Sequence, residues 1–280
     1  MENGPFPERV LGGRYVLDCL LEKGGMSHIY RAWDSVGDTY VAIKIADPGT
    51  SGRDVLRLQR EVVALAGLRH PRVVQVLDAG FARSTNTPGY YAALELLDGI
   101  PLDEFRAHGE VACCIRIILE LLEGLEAVHA AGLVHCDIKP DNIVLTCAGL
   151  KIIDFGIATL TARLRPEDIE PPGLCTGTPL FMAPEQHLAR RLLDARTDLY
   201  ACGLTLYFLL TGTFAFPDKT SYQELVGMKM EDRSAPFSAS APKFRFPPGL
   251  EDAVSRALRA DPDQRYQSAD EMRWALRQFI

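Results

Sequence analysis

The stretch Gly132–Gly156, GLVHCDIKPDNIVLTCAGLKIIDFG, decides how the rest of the chain is read. It threads Asp137, Lys139, Asn142 and Asp154 through short apolar runs. Ile143–Leu145 and Leu150–Ile153 are two such runs, separated by Thr146, Cys147, Ala148 and Gly149, a pattern that predicts a β-hairpin with a small-residue turn. A hairpin sets its two ends side by side, so Asn142 entering it and Asp154 leaving it are expected to lie close together. Two converging oxygen ligands suit Mg2+, which takes one or two protein ligands and leaves the other positions to phosphates and water. Asp137 and Lys139 precede the hairpin on a loop that Pro140 keeps out of helix. A carboxylate to orient a hydroxyl, an ammonium to hold a migrating phosphoryl group and two metal ligands together make a phosphoryl-transfer set. Taken singly, Asp137 and Asp154 could be turn residues and Asn142 a cap; the four at this spacing point to chemistry.

A chain of 280 residues is large for one core, which predicts two lobes or domains. Hydrophobic residues at 47% and charged residues at 24% are ordinary for a globular enzyme, and neither suggests disorder. A net charge of −7 argues against nucleic acid as the partner, because binding the phosphate backbone needs a basic face. Seven cysteines, an odd number without metal-ligand spacing, argue against a disulfide framework and for a reducing compartment. Met1–Arg9 is polar and contains proline, unlike a secretory leader, and the longest apolar runs, such as Leu204–Leu210, cannot span a bilayer. The expectation is a cytoplasmic chain without a membrane segment.

Outward from the central stretch, Met1–Gly13 reads as a loose lead-in. Tyr15–Asp34 reads as two strands broken at Gly24-Gly25, followed past Gly37-Asp38 by a third over Tyr40–Ile45. Apolar residues at Val55, Leu56, Leu58, Val62, Val63, Leu65 and Leu68 predict a helix over Arg53–Leu68. Val73–Val76 and Tyr90–Leu97 add two strands, with Arg83–Gly89 as the loop between them and Asp98–Pro101 as a turn. The first lobe is therefore read as five antiparallel strands and one helix. Beyond it, Val111–Ala131 and Thr197–Leu210 read as helices, and Ala269–Ile280 as the last. Ile157–Pro179 shows no periodicity, and a segment of that length inside a domain is usually functional.

Placed in order, the motifs are Gly24-Gly25, Val41-Ala42-Ile43-Lys44, Glu61, His135-Cys136-Asp137, Lys139-Pro140-Asp141-Asn142, Asp154-Phe155-Gly156 and Ala183-Pro184-Glu185, followed by Asp198 and Arg265. This series resembles the eukaryotic-type protein kinases, and the Gly-Gly-Met-Ser loop with Gly-Thr-Pro before Ala-Pro-Glu is most similar to the bacterial serine/threonine kinases. The resemblance spans about Arg14–Phe279. It implies an α+β, bilobal fold: a lead-in over 1–13, an ATP-binding lobe over 14–97, and a larger, mainly helical lobe over 98–280 carrying the catalytic residues, the activation segment and the peptide-docking surface.

Roles follow from the resemblance. Asp137 would orient the acceptor hydroxyl and accept its proton, and Lys139 would neutralise the migrating group. Lys44 would hold ATP phosphates while paired with Glu61, and Asn142 and Asp154 would hold Mg2+, or Mn2+ in its place. Glu22, Lys23, Gly24, Gly25 and Met26 would form the phosphate lid. Ile29, Ala42 and Val144 would enclose the adenine, backbone groups of Glu95 and Leu97 would bond its edge, and Leu94 would guard the pocket behind. His135 and Phe155, with Leu65 and Val76, would form a packed stack. Thr176 and Thr178 belong to the segment that would be phosphorylated or seat a Ser or Thr acceptor, and Glu185 would pair with buried Arg265. Lys139, two residues after Asp137, resembles the serine/threonine rather than the tyrosine kinases. Protein substrates are implied, and a homodimer through the small lobe or autophosphorylation in trans is compatible.

Two letters depart from the family pattern. Glu22 and Ser27 replace the outer glycines of Gly-x-Gly-x-x-Gly, so a carboxylate stands near the phosphate lid, where like charges repel. Cys136 replaces the arginine that usually precedes the catalytic aspartate, and a thiol cannot clamp a phosphorylated segment. Weak dependence on phosphorylation of Thr159, Thr161 or Thr176 is therefore expected. These departures also motivate two other readings: a nucleotide-binding pseudokinase or scaffold, and redox control through Cys136 and Cys175.

Overall fold

The computed structural model describes residues 10–24, 27–46, 52–82, 89–105, 110–160, 179–188, 193–218 and 220–280. The chain divides into two compact units, Met1–Asp98 and Gly99–Ile280. In the first unit β1 (Val10–Leu11), β2 (Tyr15–Lys23), β3 (Ser27–Asp34), β4 (Thr39–Ala46), β5 (Val76–Ala82) and β6 (Gly89–Glu95) form one antiparallel sheet in the order β1-β2-β3-β4-β6-β5. Helix α1 (Gly52–Ala66) packs against β4, β5 and β6. Strand β3 shows why: His28, Tyr30, Ala32 and Asp34 are buried, while the residues between them are partly exposed, the period of two that a half-covered strand requires. The buried set continues across the sheet through Tyr15, Val41, Ile43, Ile45, Tyr91 and Ala93.

The lead-in expected over 1–13 is not loose where it is described. Val10 and Leu11 pair with Val16 and Tyr15, and Leu11 is fully buried. Gly12 and Gly13, both at positive φ, form the turn, closed by the Arg14 N–H donating to the Leu11 carbonyl at 3.0 Å. Positive φ at both central residues is the hairpin geometry that favours glycine. A Cβ on Gly12 would also lie 2.8 Å from the Tyr91 hydroxyl oxygen. The strand expected over Val73–Val76 instead starts at Val76; Val73 and Val74 are buried in the approach to it. The expected loop over Arg83–Gly89 falls outside the described residues apart from Gly89, which belongs to β6.

In the second unit β7 (Gly99–Pro101) is a strand where a turn was expected. It pairs with β9 (Ile143–Thr146), which pairs in turn with β10 (Gly149–Ile152). Helix α2 (Val111–Ala130) leads to β8 (Leu133–Val134), and β11 (Thr159–Leu160) pairs with β8. Helix α3 (Ala195–Thr211) is buried over almost its whole length, capped by the Asp194 carboxylate accepting from the Arg196 N–H and ended by Gly212 at φ 72. After α4 (Tyr222–Met230) and α5 (Phe237–Ser240), helices α6 (Leu250–Ala257) and α7 (Ala269–Leu276) pack against α3, and α7 also packs against α2. No helix among the described residues is long and apolar enough to cross a membrane.

Candidate active site

In the first unit, sheet register decides which side chains share a face. Ile29 pairs with Lys44, and Ala42 with both Arg31 and Leu94; directly paired residues project to the same side. Ile29, Ala42, Lys44 and Leu94 thus lie opposite the core of Tyr30, Val41 and Ile43. The Lys44 Nζ donates to Glu61 Oε2 at 2.7 Å, and Glu61 is 1% exposed. A strand lysine between apolar neighbours requires such a partner, and only the fold brings α1 alongside to supply it. Glu22 pairs with Ile29, so its carboxylate reaches the same face, but its side chain is exposed and solvated. Lys23 is exposed beside it, and the Gly24 N–H donates to the Ser27 carbonyl at 3.0 Å, closing the connection between β2 and β3. Gly25 and Met26 lie outside the described residues. The Glu95 N–H donates to the Gln75 carbonyl at 3.0 Å, which leaves the Glu95 carbonyl as the backbone group for the expected adenine bond. Leu97 lies just beyond β6 and is partly exposed.

In the second unit the β9–β10 hairpin forms as expected, with Thr146 and Gly149 paired and Cys147-Ala148 as the turn. The Ile153 N–H donates to the Asn142 carbonyl at 2.9 Å, which brings Asp154 out of the hairpin beside Asn142. Asp137 sits at the centre of the polar cluster. Its Oδ2 accepts from Lys139 Nζ at 3.0 Å and from Asn142 Nδ2 at 2.8 Å, and its carbonyl accepts from the same Nδ2 at 2.8 Å. With Nδ2 so directed, the Asn142 Oδ1 points away from Asp137. That oxygen and the Asp154 carboxylate are each of the ligand type a hard divalent cation takes. Burial pushes the Asp137 carboxyl above the usual carboxylate range, Asp154 adds to the rise, and Lys139 opposes it.

The backbone around Asp137 is held under strain. Cys136 and Asp154 have φ 66 and 58, left-handed values uncommon for residues other than glycine. Asp198, fully buried on α3, fixes the first of them. Its Oδ1 accepts from the Cys136 N–H at 2.8 Å, and its Oδ2 from the His135 N–H at 2.9 Å and His129 Nε2 at 2.8 Å. The Asp137 N–H donates to His135 Nδ1 at 3.2 Å, so that ring carries its proton on Nε2, which donates to the Ile153 carbonyl at 3.1 Å. His135 also meets Phe155 edge-on at 4.5 Å between ring centroids. Val144 is buried on β9, and Leu65 is buried on α1.

Downstream, Glu185 and Arg265 form the expected buried pair. Arg265 uses all five of its N–H donors: on Glu185 Oε1 and Oε2 at 2.8 and 2.7 Å, and on the carbonyls of Arg259, Arg196 and Ala260. Two positioning residues were missed from the sequence. Gln186 accepts from the Ala183 N–H and donates to the Cys136 carbonyl, both at 2.8 Å, while His129 braces Asp198. Neither stands in a chemical motif, and only the fold brings them to the loop. Thr161, Cys175, Thr176 and Thr178 lie outside the described residues.

Comparison with known proteins gives a consistent picture. Residues 15–275 match the family described as "Protein kinase domain". The serine/threonine-protein kinase PksC of Streptomyces coelicolor is 36% identical over 281 residues, which covers 96% of this chain and 50% of that protein. PknB of Mycolicibacterium smegmatis is 35% identical over 273 residues, 94% of this chain and 42% of that protein. The chain thus spans about half or less of these relatives' length. Among solved structures, the Mycobacterium tuberculosis PknI kinase domain superposes with a TM-score of 0.72 at 25% identity, covering 97% of this chain and 98% of that one.

Proposed function

The chain belongs to the protein kinase domain family, and from that premise we propose that it transfers the γ-phosphoryl group of ATP to seryl or threonyl hydroxyls of proteins. The family uses ATP and a divalent metal ion and acts on protein substrates. The observation that carries the proposal is the cluster in which Lys139 and Asn142 both bond the Asp137 carboxylate while Asp154 stands beside Asn142. Held by those donors, Asp137 would present its carboxylate to the acceptor hydroxyl, orient it and take its proton. The raised pKa makes it a stronger acceptor than an ordinary aspartate. Lys139, bonded to the same carboxylate, would place positive charge next to the group in flight. Asn142 Oδ1 and the Asp154 carboxylate would hold Mg2+ or Mn2+, which when bound neutralises phosphate charge. In the first unit, Lys44 oriented by Glu61 would bind the nucleotide phosphates, and Ile29 and Ala42 would contact the base.

The reading extends to regulation. Cys136 is a buried, uncharged thiol whose Sγ donates to the Val134 carbonyl, so position 136 offers no cation to a phosphorylated segment. Activity would then depend little on phosphorylation of the activation segment. The experiment is radiolabel transfer from ATP to a casein-like acceptor and to the protein itself, compared with Asp137→Asn. Labelling of Asp137→Asn by added wild type would establish transfer in trans. Retained nucleotide binding without transfer by the wild type would overturn the kinase reading in favour of a nucleotide-binding scaffold, the alternative that Glu22 on the nucleotide face supports.

A further inference from the structure

Lys229 stands in the last turn of α4 and is completely buried. Burying an ammonium is costly unless its donors are met, and among the described residues none of its hydrogen bonds goes to a carboxylate. Its Nζ donates instead to the carbonyls of Pro179, Leu180 and Met182, at 2.8, 3.1 and 2.5 Å. The faces of Phe216 and Tyr200 lie 5.5 and 5.8 Å from the charge, and Arg265 covers the Tyr200 ring as well, at 4.7 Å. Glu185 favours the charged form from a longer range, and the pKa of His187 is lowered by burial and further by Lys229. Burial draws the Lys229 pKa down to about 7. The geometry nevertheless calls for the ammonium, because a neutral amine has only two N–H groups for three acceptors.

The three carbonyls belong to residues within one short strip that is neither helix nor strand and runs directly into Ala183-Pro184-Glu185. A chain without ladder bonds does not turn several carbonyls toward one point unless something holds them there. We propose that Lys229 is a positioning residue: it fixes Pro179–Met182, part of the stretch up to Glu185 that by resemblance to the protein kinases docks a peptide, in the shape against which a protein acceptor binds. The inference rests on the kinase reading above and adds a residue to it from an element that carries none of the catalytic groups. Among the described residues Lys229 bonds none of those that would hold ATP or the reacting groups, so its effect belongs to acceptor binding.

Lys229→Met keeps the volume and removes the charge, and Lys229→Gln keeps an N–H donor. The expected result is an acceptor KM raised about tenfold in Lys229→Met and by less in Lys229→Gln. The KM for ATP and acceptor-free ATP hydrolysis should stay within about twofold of wild type in both. Thermal midpoints should show both variants folded, with Lys229→Met the less stable of the two, since it leaves three carbonyls without their donor. Acceptor KM within about twofold of wild type in both variants would overturn the proposal. So would parallel loss of acceptor transfer and acceptor-free hydrolysis, or failure of both variants to fold, because Lys229 would then serve the fold alone. A wild-type protein that binds ATP but labels no protein would instead overturn the kinase reading, and this inference with it.

Discussion

Asp137, Lys139, Asn142 and Asp154 were legible as letters because chemistry restricts which side chains can do each task, and their spacing survives in the chain. Their helpers were not. Gln186 and His129 act only through the Cys136 carbonyl and Asp198, groups distant in sequence, and a lone glutamine or histidine carries no signal of that. Two predictions belong at this scale. Cys136 is buried, and burial with the nearby Asp198 carboxylate pushes its thiol well above the usual range. Native protein should therefore be alkylated by iodoacetamide at exposed Cys19 and Cys147, with Cys136 modified only after unfolding, as mass spectrometry would read. Fast native modification of Cys136 would favour the redox reading. Asp34 is the second case. It is 3% exposed and accepts from Arg14 Nε and Nη2 at 2.6 and 2.7 Å, and the guanidinium holds its carboxyl well below the ordinary range. A depressed carboxylate stabilises above its unfolded pKa and loses that contribution as pH falls below it. Asp34→Asn should then be less stable than wild type at neutral pH, with the gap closing below about pH 4 in urea titrations.

Elements were legible where a single period dominates. The alternation in β3 and the helical spacing in α2 both come from one covered face, and hydrophobicity records that directly. Short strands were not: β7 spans only Gly99–Pro101, too short for any period, and it exists because β9 offers it an edge. Strand β1 differs, since Gly12-Gly13 is a hairpin-turn signal present in the sequence and passed over. Leu11 ties that strand into the core, so Leu11→Ala should cost about 2–5 kcal/mol in denaturant unfolding. A cost well below 1 kcal/mol would mean β1 is dispensable. The segment around Glu185 is pinned differently, by charge. Glu185→Ala would leave Arg265 buried and unpaired, and a loss of about 3–5 kcal/mol is expected, seen as a lower urea midpoint with an unchanged slope.

For the whole chain, two compact units could be anticipated from length and from the change of character near Asp98, because strands dominate before it and helices after. The same scale carries the prediction on regulation. With a neutral thiol at Cys136 and the neutral Gln186 amide linking the Cys136 carbonyl to the Ala183 N–H, no described bond at this junction requires a phosphate. Phosphatase-treated protein and Thr176→Ala should each retain most of the transfer activity in a radiolabel assay; loss of most of it in either would place control on the segment after all. The sequence by itself determined the family, the chemical letters and the elements long enough to show a period, since these depend on local composition and on spacing along the chain. The resemblance already paired Lys44 with Glu61 and set Asp198 under the catalytic loop; only the tertiary structure decided that Asp198 holds Cys136 in a left-handed conformation, that Gln186 reaches the Cys136 carbonyl and that Lys229 gathers three carbonyls. Each of those joins residues far apart in the chain, where burial removes water and makes an unmet donor or acceptor too costly to leave.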